Sequence, residues 1–229
     1  MGGHAVSTAL ALGINGIRLD VGDHICGLYY GESQRDQILV PFLEAGLASG
    51  DKCICVVDGV APGEVVARLD ASTFAADKQL EVIRSSDMYL RSGRFSADEV
   101  VGAWKAAMSD VMYDGRFDVV RAVETWSRRD VVPDMQELRT LESEITRYLP
   151  LYPQAIMCLY DIERFGAGII VDLVRTHPRL LVGGTLVENP YYLAPDELQP
   201  VSAQATGVTA NPEILEAAEW YYNVTSGST

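Results

Sequence analysis

An α/β fold is the architecture this sequence predicts: a mostly parallel sheet in three layers, helices on both faces, ending in a short β-hairpin. Three observations lead there. Short apolar runs of strand length alternate with longer stretches whose apolar residues recur at helical spacing. The short runs are apolar at successive positions, as in strands buried on both faces. Each run is followed by a helical stretch before the next run, the order of βαβ units in a parallel sheet.

Ile25 to Tyr30 (ICGLYY) is the first such run, and Gly31 ends it. Ile38, Leu39, Phe42, Leu43 and Leu47 then recur at helical spacing, with Gly50 as the stop. Cys53 to Val57 (CICVV) predicts a second strand, and Pro62 opens a helix carrying Val65, Val66 and Leu69. Leu80 to Ile83 predicts a third strand. Ser96 to Met112 predicts a helix with Val100, Trp104, Met108 and Val111 on one side. Phe117 to Val123 (FDVVRAV) is the next strand, followed after Pro133 by an amphipathic helix marked by Leu138, Leu141, Ile145 and Leu149. Ala155 to Tyr160 (AIMCLY) is a further strand. The helix bearing Ile169 to Val174 must end at Pro178, because proline disfavours helical geometry in the residue before it. Leu180 to Val182 and Thr185 to Val187 form a hairpin around Gly183-Gly184. Residues 1–20 are expected to be a flexible segment and 21–195 a single domain. Residues 196–229 then make a polar tail with a short helix near 212–222.

Composition bounds the function. The 229 residues are 48% hydrophobic and 22% charged, ordinary globular usage. Eighteen Lys and Arg face 32 Asp and Glu, a net charge of −14. Phosphate recognition needs Lys and Arg to displace counterions, so direct nucleic-acid binding is disfavoured. An anionic membrane surface is disfavoured for the same reason. The uncharged stretch Gly2 to Ile17 is shorter than the ~20 apolar residues of a bilayer span, and it lacks the basic start of a secretory signal. Cys26, Cys53, Cys55 and Cys158 each sit in an apolar run without a C-x-x-C pair, so reduced, buried thiols and a cytoplasmic location are expected.

In open parallel sheets, ligands bind at the carboxyl ends of strands. There, the stretch Tyr30 to Arg35 occupies the place of a phosphate loop. It offers one Gly, an acidic Glu32, and no G-K-[ST]. Glu32 would repel a triphosphate at the helix start meant to cradle it. No G-x-G-x-x-G follows any strand, so neither ATP hydrolysis nor a dinucleotide cofactor is expected.

Six segments occur in order: H-I-C-G-L-Y-Y (24–30), P-F-L-E-A-G-L-A-S-G-D (41–51), Y-L-R-S-G-R-F (89–95), C-L-Y-D (158–161), R-T-H-P (175–178) and N-P-Y-Y (189–192). Together, from about Asp23 to Pro195, they resemble the MEDS family, the methanogen/methylotroph DcmR-type sensory domain. The resemblance implies a RecA/KaiC-like core that has lost its phosphate loop. It also implies sensing of small organic compounds, such as one-carbon or hydrocarbon derivatives, relayed to DNA-binding or kinase-like domains. The family has a strand ending in an acidic residue closely followed by Trp; Val123-Glu124-Thr125-Trp126 offers that pattern here. With no helix-turn-helix in the sequence, output is expected through a separate regulatory or DNA-binding protein or an oligomeric change.

His24 and Cys26, two apart on a strand, point to one face. They could be a metal pair, a thiol–imidazole pair or polar contacts in a pocket. A zinc site needs three or four ligands, and His177 and Cys158 are the obvious additions, so no metal is assigned. Cys53 and Cys55 are expected to be core. Tyr30, Trp126 and Tyr160 fall near strand ends and could wall an apolar pocket, with Glu124, Asp161 and His177 orienting the guest. Tyr29 is expected to pack in the core, and Asn189-Pro190-Tyr191 to form a closing turn. The expected ligand site is therefore His24, Cys26, Tyr30, Glu124, Trp126, Asp161 and His177, with no catalytic residue and no cofactor. Two other readings stand beside it. One is a thiol enzyme using Cys26 or Cys158 with a histidine. The other is an interaction scaffold, or homo-oligomer, using the helix Glu213 to Tyr222 with its aromatic cluster Trp220-Tyr221-Tyr222.

Overall fold

The computed structural model describes residues 9–70, 72, 78–90, 92–127, 135–165 and 167–198. The helix expected near 212–222 lies outside the described residues. Two short strands, β1 (Ala9–Ala11) and β2 (Arg18–Asp20), pair antiparallel ahead of the main sheet. The main elements follow as β3 (His24–Tyr29), α1 (Gly31–Ser49), β4 (Lys52–Val57), α2 (Pro62–Val66), β5 (Leu80–Arg84), α3 (Ser85–Tyr89) and α4 (Ala97–Asp114). Then come β6 (Val120–Trp126), α5 (Met135–Tyr148), a 3-10 turn at Leu149–Leu151, β7 (Gln154–Asp161), α6 (Ala167–Thr176), β8 (Arg179–Val182) and β9 (Thr185–Glu188).

The sheet runs in the order β5-β4-β6-β7-β3-β8-β9. Every neighbouring pair is parallel except β8 and β9, which pair antiparallel. Gly183 and Gly184 join that last pair, both at positive φ (55° and 73°), as a two-residue turn matching the twist of its strands requires.

Strand alternation divides the core in two. Cys26, Ala122, Trp126, Ile156, Cys158 and Tyr160 face one side, under Val100, Trp104 and Met108 of α4, Leu138, Leu141 and Ile145 of α5, and Leu173 of α6. Ile25, Tyr29, Cys53, Cys55, Val123, Met157 and Leu159 face the other, under α1, Val65 of α2 and Leu10, Leu12 and Leu19 of the small antiparallel pair. The four central strands are buried along nearly their whole length.

Three expectations need correction. The first concerns residues 1–20. From Ala9 on, this segment is an integral part of the fold, because Leu10, Leu12 and Leu19 bury themselves against α1. The second concerns Tyr30 to Arg35, which is no loop. Tyr30 caps α1, its backbone N–H is held by Gln34 Oε1 at 2.9 Å, and Glu32 sits favourably in the first turn. The third concerns β6, which spans Val120–Trp126 rather than Phe117 to Val123. Its ladder with β7 continues through Glu124, Thr125 and Trp126 to Tyr160. Tertiary pairing carries the strand past polar residues that end an apolar run in sequence.

Candidate functional site

Buried polar side chains converge on the face of the sheet covered by α5 and α6. The register of the parallel strands sets them side by side. Cys26 on β3 and Glu124 on β6 each pair with Cys158 on β7, and Trp126 pairs with Tyr160. His24 opens β3 on the same face as Cys26. From above, α5 inserts Glu142 and Thr146, and His177 enters from the end of α6. His24, Glu124, Glu142, Cys158 and His177 are each fully buried.

Glu142 is the hub. Its Oε2 lies 3.2 Å from His24 Nε2, 3.3 Å from His177 Nε2 and 3.7 Å from Cys158 Sγ. Its Oε1 accepts the Tyr160 hydroxyl. Cys158 Sγ is also 3.5 Å from His24 Nε2 and donates to Glu124 Oε1 at 3.4 Å, while Glu124 Oε2 accepts the Tyr89 hydroxyl. The other imidazole nitrogens are turned outward. His177 Nδ1 lies 2.7 Å from the Leu173 carbonyl, and His24 Nδ1 lies 2.9 Å from Thr146 Oγ1. Around this centre stand aromatic rings: Trp126 stacks between Tyr89 (4.8 Å) and Tyr160 (6.3 Å), and Phe165 meets Tyr160 edge-on.

Burial disfavours every charge here, and neighbours decide which charges persist. Burial, then repulsion from Glu142, pushes Glu124 up to about 8. Burial alone would raise Glu142 as well, but the two histidines outweigh it and hold that carboxyl well below its usual range. Burial, then the neighbouring His177, lowers His24 to about 4, against the pull of Glu142. Burial raises the Cys158 thiol and the Tyr89 and Tyr160 hydroxyls. The two carboxyl groups are therefore pushed in opposite directions, Glu124 toward its protonated form and Glu142 toward its ionised form.

Of the residues expected to form the site, His24, Cys26, Glu124, Trp126 and His177 come together. Tyr30 and Asp161 do not. Tyr30 is 43% exposed at the cap of α1, and Asp161 accepts the Glu163 backbone N–H just beyond β7. The location differs too. Instead of the carboxyl rim of the sheet, the cluster lies beneath α5 and α6, with His24 at the amino end of its strand. At the rim the fold closes on itself: the Tyr29 hydroxyl reaches the Trp126 carbonyl, and Asp58 Oδ2 takes the Ser127 N–H.

Sequence reasoning left out Glu142, Thr146 and Tyr89, and considered Cys158 as a nucleophile or an additional zinc ligand without placing it in the expected ligand site. Glu142 had a signal: it falls four residues after Leu138 and three before Ile145, a carboxylate inside the apolar stripe of an amphipathic helix. His24, Glu142, Cys158 and His177 also satisfy the spacing of a metal-binding group, their ligand atoms all within 4.8 Å of one another.

Among known proteins, the MEDS family profile, described as the methanogen/methylotroph, DcmR sensory domain, matches residues 23–178. The transcriptional repressor DcmR of Methylorubrum extorquens is 22% identical over 174 residues, which cover 76% of this chain and 64% of that protein. The chain thus spans less than two thirds of that relative's length. The profile match begins one residue before His24 and ends one after His177, so it encloses the whole cluster. Among the described residues, no helix is long and apolar enough to cross a membrane. The chain belongs to the MEDS family of sensory domains.

Proposed function

We propose that this domain senses a small organic molecule, a one-carbon or hydrocarbon derivative, at the buried cluster under α5 and α6. Occupancy is passed to a separate regulatory or DNA-binding chain, and no reaction is catalysed. The observation that carries this is the convergence of buried polar groups on a wall of stacked aromatic rings, the composition of a small-molecule site. The net charge of −14 supports leaving DNA contact to a partner. The β3–α1 junction supports a RecA/KaiC-like core without its nucleotide. A single residue, Tyr30, separates strand from helix, and the exposed Glu32 stands in the first helical turn.

A thermal-shift screen of small one-carbon, halogenated and hydrocarbon compounds tests the proposal. A ligand held at 100 Kd stabilises the fold by about 2.7 kcal/mol, a rise in Tm of roughly 5–11 °C for a domain of this size. The rise should vanish in Trp126→Ala, provided that variant still unfolds cooperatively. A screen in which no compound moves Tm would sink the proposal.

The thiol-enzyme alternative makes an opposite prediction. All four sulfurs are fully buried, and burial raises every thiol, Cys53 to about 12. Iodoacetamide should therefore modify no cysteine of the native protein on the timescale of free thiol, and all four after unfolding. One stoichiometric, fast-reacting thiol in the native state would restore the enzyme reading.

A further inference from the structure

We propose that His24, Glu142, Cys158 and His177 form a four-ligand centre for a divalent transition-metal ion of the zinc class, in a domain for which a metal-free sensor was the sequence-based expectation. The centre stands independently of any organic ligand.

Three observations converge on it. The first is spacing. Zinc bonds of ~2.0–2.3 Å in a tetrahedron set ligand atoms ~3.3–3.8 Å apart. Four of the six edges are 3.2 Å (His24 Nε2 to Glu142 Oε2), 3.3 Å (His177 Nε2 to Glu142 Oε2), 3.5 Å (His24 Nε2 to Cys158 Sγ) and 3.7 Å (Glu142 Oε2 to Cys158 Sγ). The other two, from His177 Nε2 to His24 and to Cys158, lie within 4.8 Å.

The second is where the imidazole protons must lie. The Leu173 carbonyl 2.7 Å from His177 Nδ1 only accepts, so Nδ1 carries the hydrogen and Nε2 of the neutral ring is bare. Thr146 spends its own hydroxyl hydrogen on the Glu142 backbone carbonyl, so it accepts from His24 Nδ1 and leaves that Nε2 bare as well. In the neutral form two imidazole lone pairs face one carboxylate oxygen, an arrangement that either a proton on Nε2 or a bound metal cation relieves. His177 Nε2 is fully buried and makes no hydrogen bond despite standing 3.3 Å from that oxygen. A metal ion at that point would take both lone pairs and the carboxylate oxygen as ligands.

The third is the surrounding shell. Metal-bound histidines donate their outer N–H to a carbonyl or another acceptor, and bound carboxylates are themselves hydrogen-bonded. Leu173 O, Thr146 Oγ1 and the Tyr160 hydroxyl on Glu142 Oε1 supply those three contacts. A thiolate and a carboxylate offset the two charges of the ion, and the thiolate with two imidazoles selects zinc-like ions over magnesium or calcium.

The test uses the full chain, stripped with a chelator and titrated with Zn²⁺ and, separately, Co²⁺. One ion per chain should bind. Co²⁺ should give the intense visible bands of tetrahedral coordination and a near-ultraviolet thiolate-to-cobalt charge-transfer band. Cys158→Ser should abolish the charge-transfer band, and His177→Ala should weaken binding by at least about 100-fold, the upper end of what loss of a supporting partner costs. Cys53→Ser, on the opposite face of the sheet, should change neither. Binding well below one equivalent, an octahedral cobalt spectrum, or a charge-transfer band that survives Cys158→Ser would each overturn the assignment. If the site variants fail to fold, stoichiometry and cobalt spectrum of the unaltered chain decide the question. A blank organic-compound screen with a full metal site would retire only the organic ligand, and the converse only the metal.

Discussion

Arg121→Ala is expected to destabilise the fold by about 3–5 kcal/mol, the usual cost of removing one partner from a buried ion pair. Arg121 is fully buried on β6, where a hydrophobic strand would ordinarily carry an aliphatic residue. Its Nε donates to Asp51 at 2.6 Å, another guanidinium nitrogen reaches the Ala11 carbonyl, and the group sits 5.7 Å over the Phe42 ring. Alanine leaves the buried Asp51 without its cation and the Ala11 carbonyl without its donor. Denaturant unfolding should show a lower midpoint at unchanged slope, and Tm should fall by roughly 6–20 °C. The double variant Arg121→Met with Asp51→Asn should recover much of the loss, because well-packed neutral pairs often match the ion pair they replace. A loss under about 1 kcal/mol for Arg121→Ala would put the pair in the class of exposed bridges instead.

Gly13→Ala should cost about 2–4 kcal/mol, from left-handed backbone strain of ~1–2 kcal/mol plus overpacking of ~1–3 kcal/mol. Gly13 sits between β1 and β2 at φ +92°, and an added Cβ would lie 2.1 Å from the Pro41 carbonyl oxygen of α1. The rigid helix backbone cannot yield, so the β1–β2 unit must lift. Gly16→Ala is the matched control. Its φ is +70° but nothing lies within 4 Å of the new carbon, so strain alone should cost ~1–2 kcal/mol. Equal losses at the two positions would refute the clash. Arg121 holds the same unit through Ala11, so Gly13→Ala and Arg121→Ala together should cost less than their sum.

The alternation of apolar runs and helical spacing was enough to read the parallel sheet, because apolar runs of only strand length, each followed by a longer helical stretch, mark strands buried on both faces. The β1–β2 unit escaped that reading. Its apolar residues are few and separated by Gly13, Asn15 and Gly16, and only packing on α1 shows that they matter. The same holds at the cluster. His24, Cys26, Glu124, Trp126 and His177 could be singled out because polar groups at strand and helix ends are conspicuous. Glu142 lies in the middle of α5 and Thr146 in its last turn, and only the placement of Glu142 within the apolar stripe of Leu138, Leu141 and Ile145 hinted that it faces inward. Tyr30 and Asp161 were drawn in by the rule that ligands bind at the carboxyl rim, whereas this chain gathers its polar groups lower in the sheet.

The position of β3 has a consequence for how the domain comes into being. It is the first strand of the large sheet to be synthesised, yet its neighbours are β7 and β8. His24 meets Thr146 across 122 residues and Cys158 across 134. Such contacts come late, since the chain entropy of closing so long a loop must be met before they contribute. The cluster is thus completed only by a chain synthesised through His177. A chain interrupted before His177 would lack one of the buried side chains that close on Glu142.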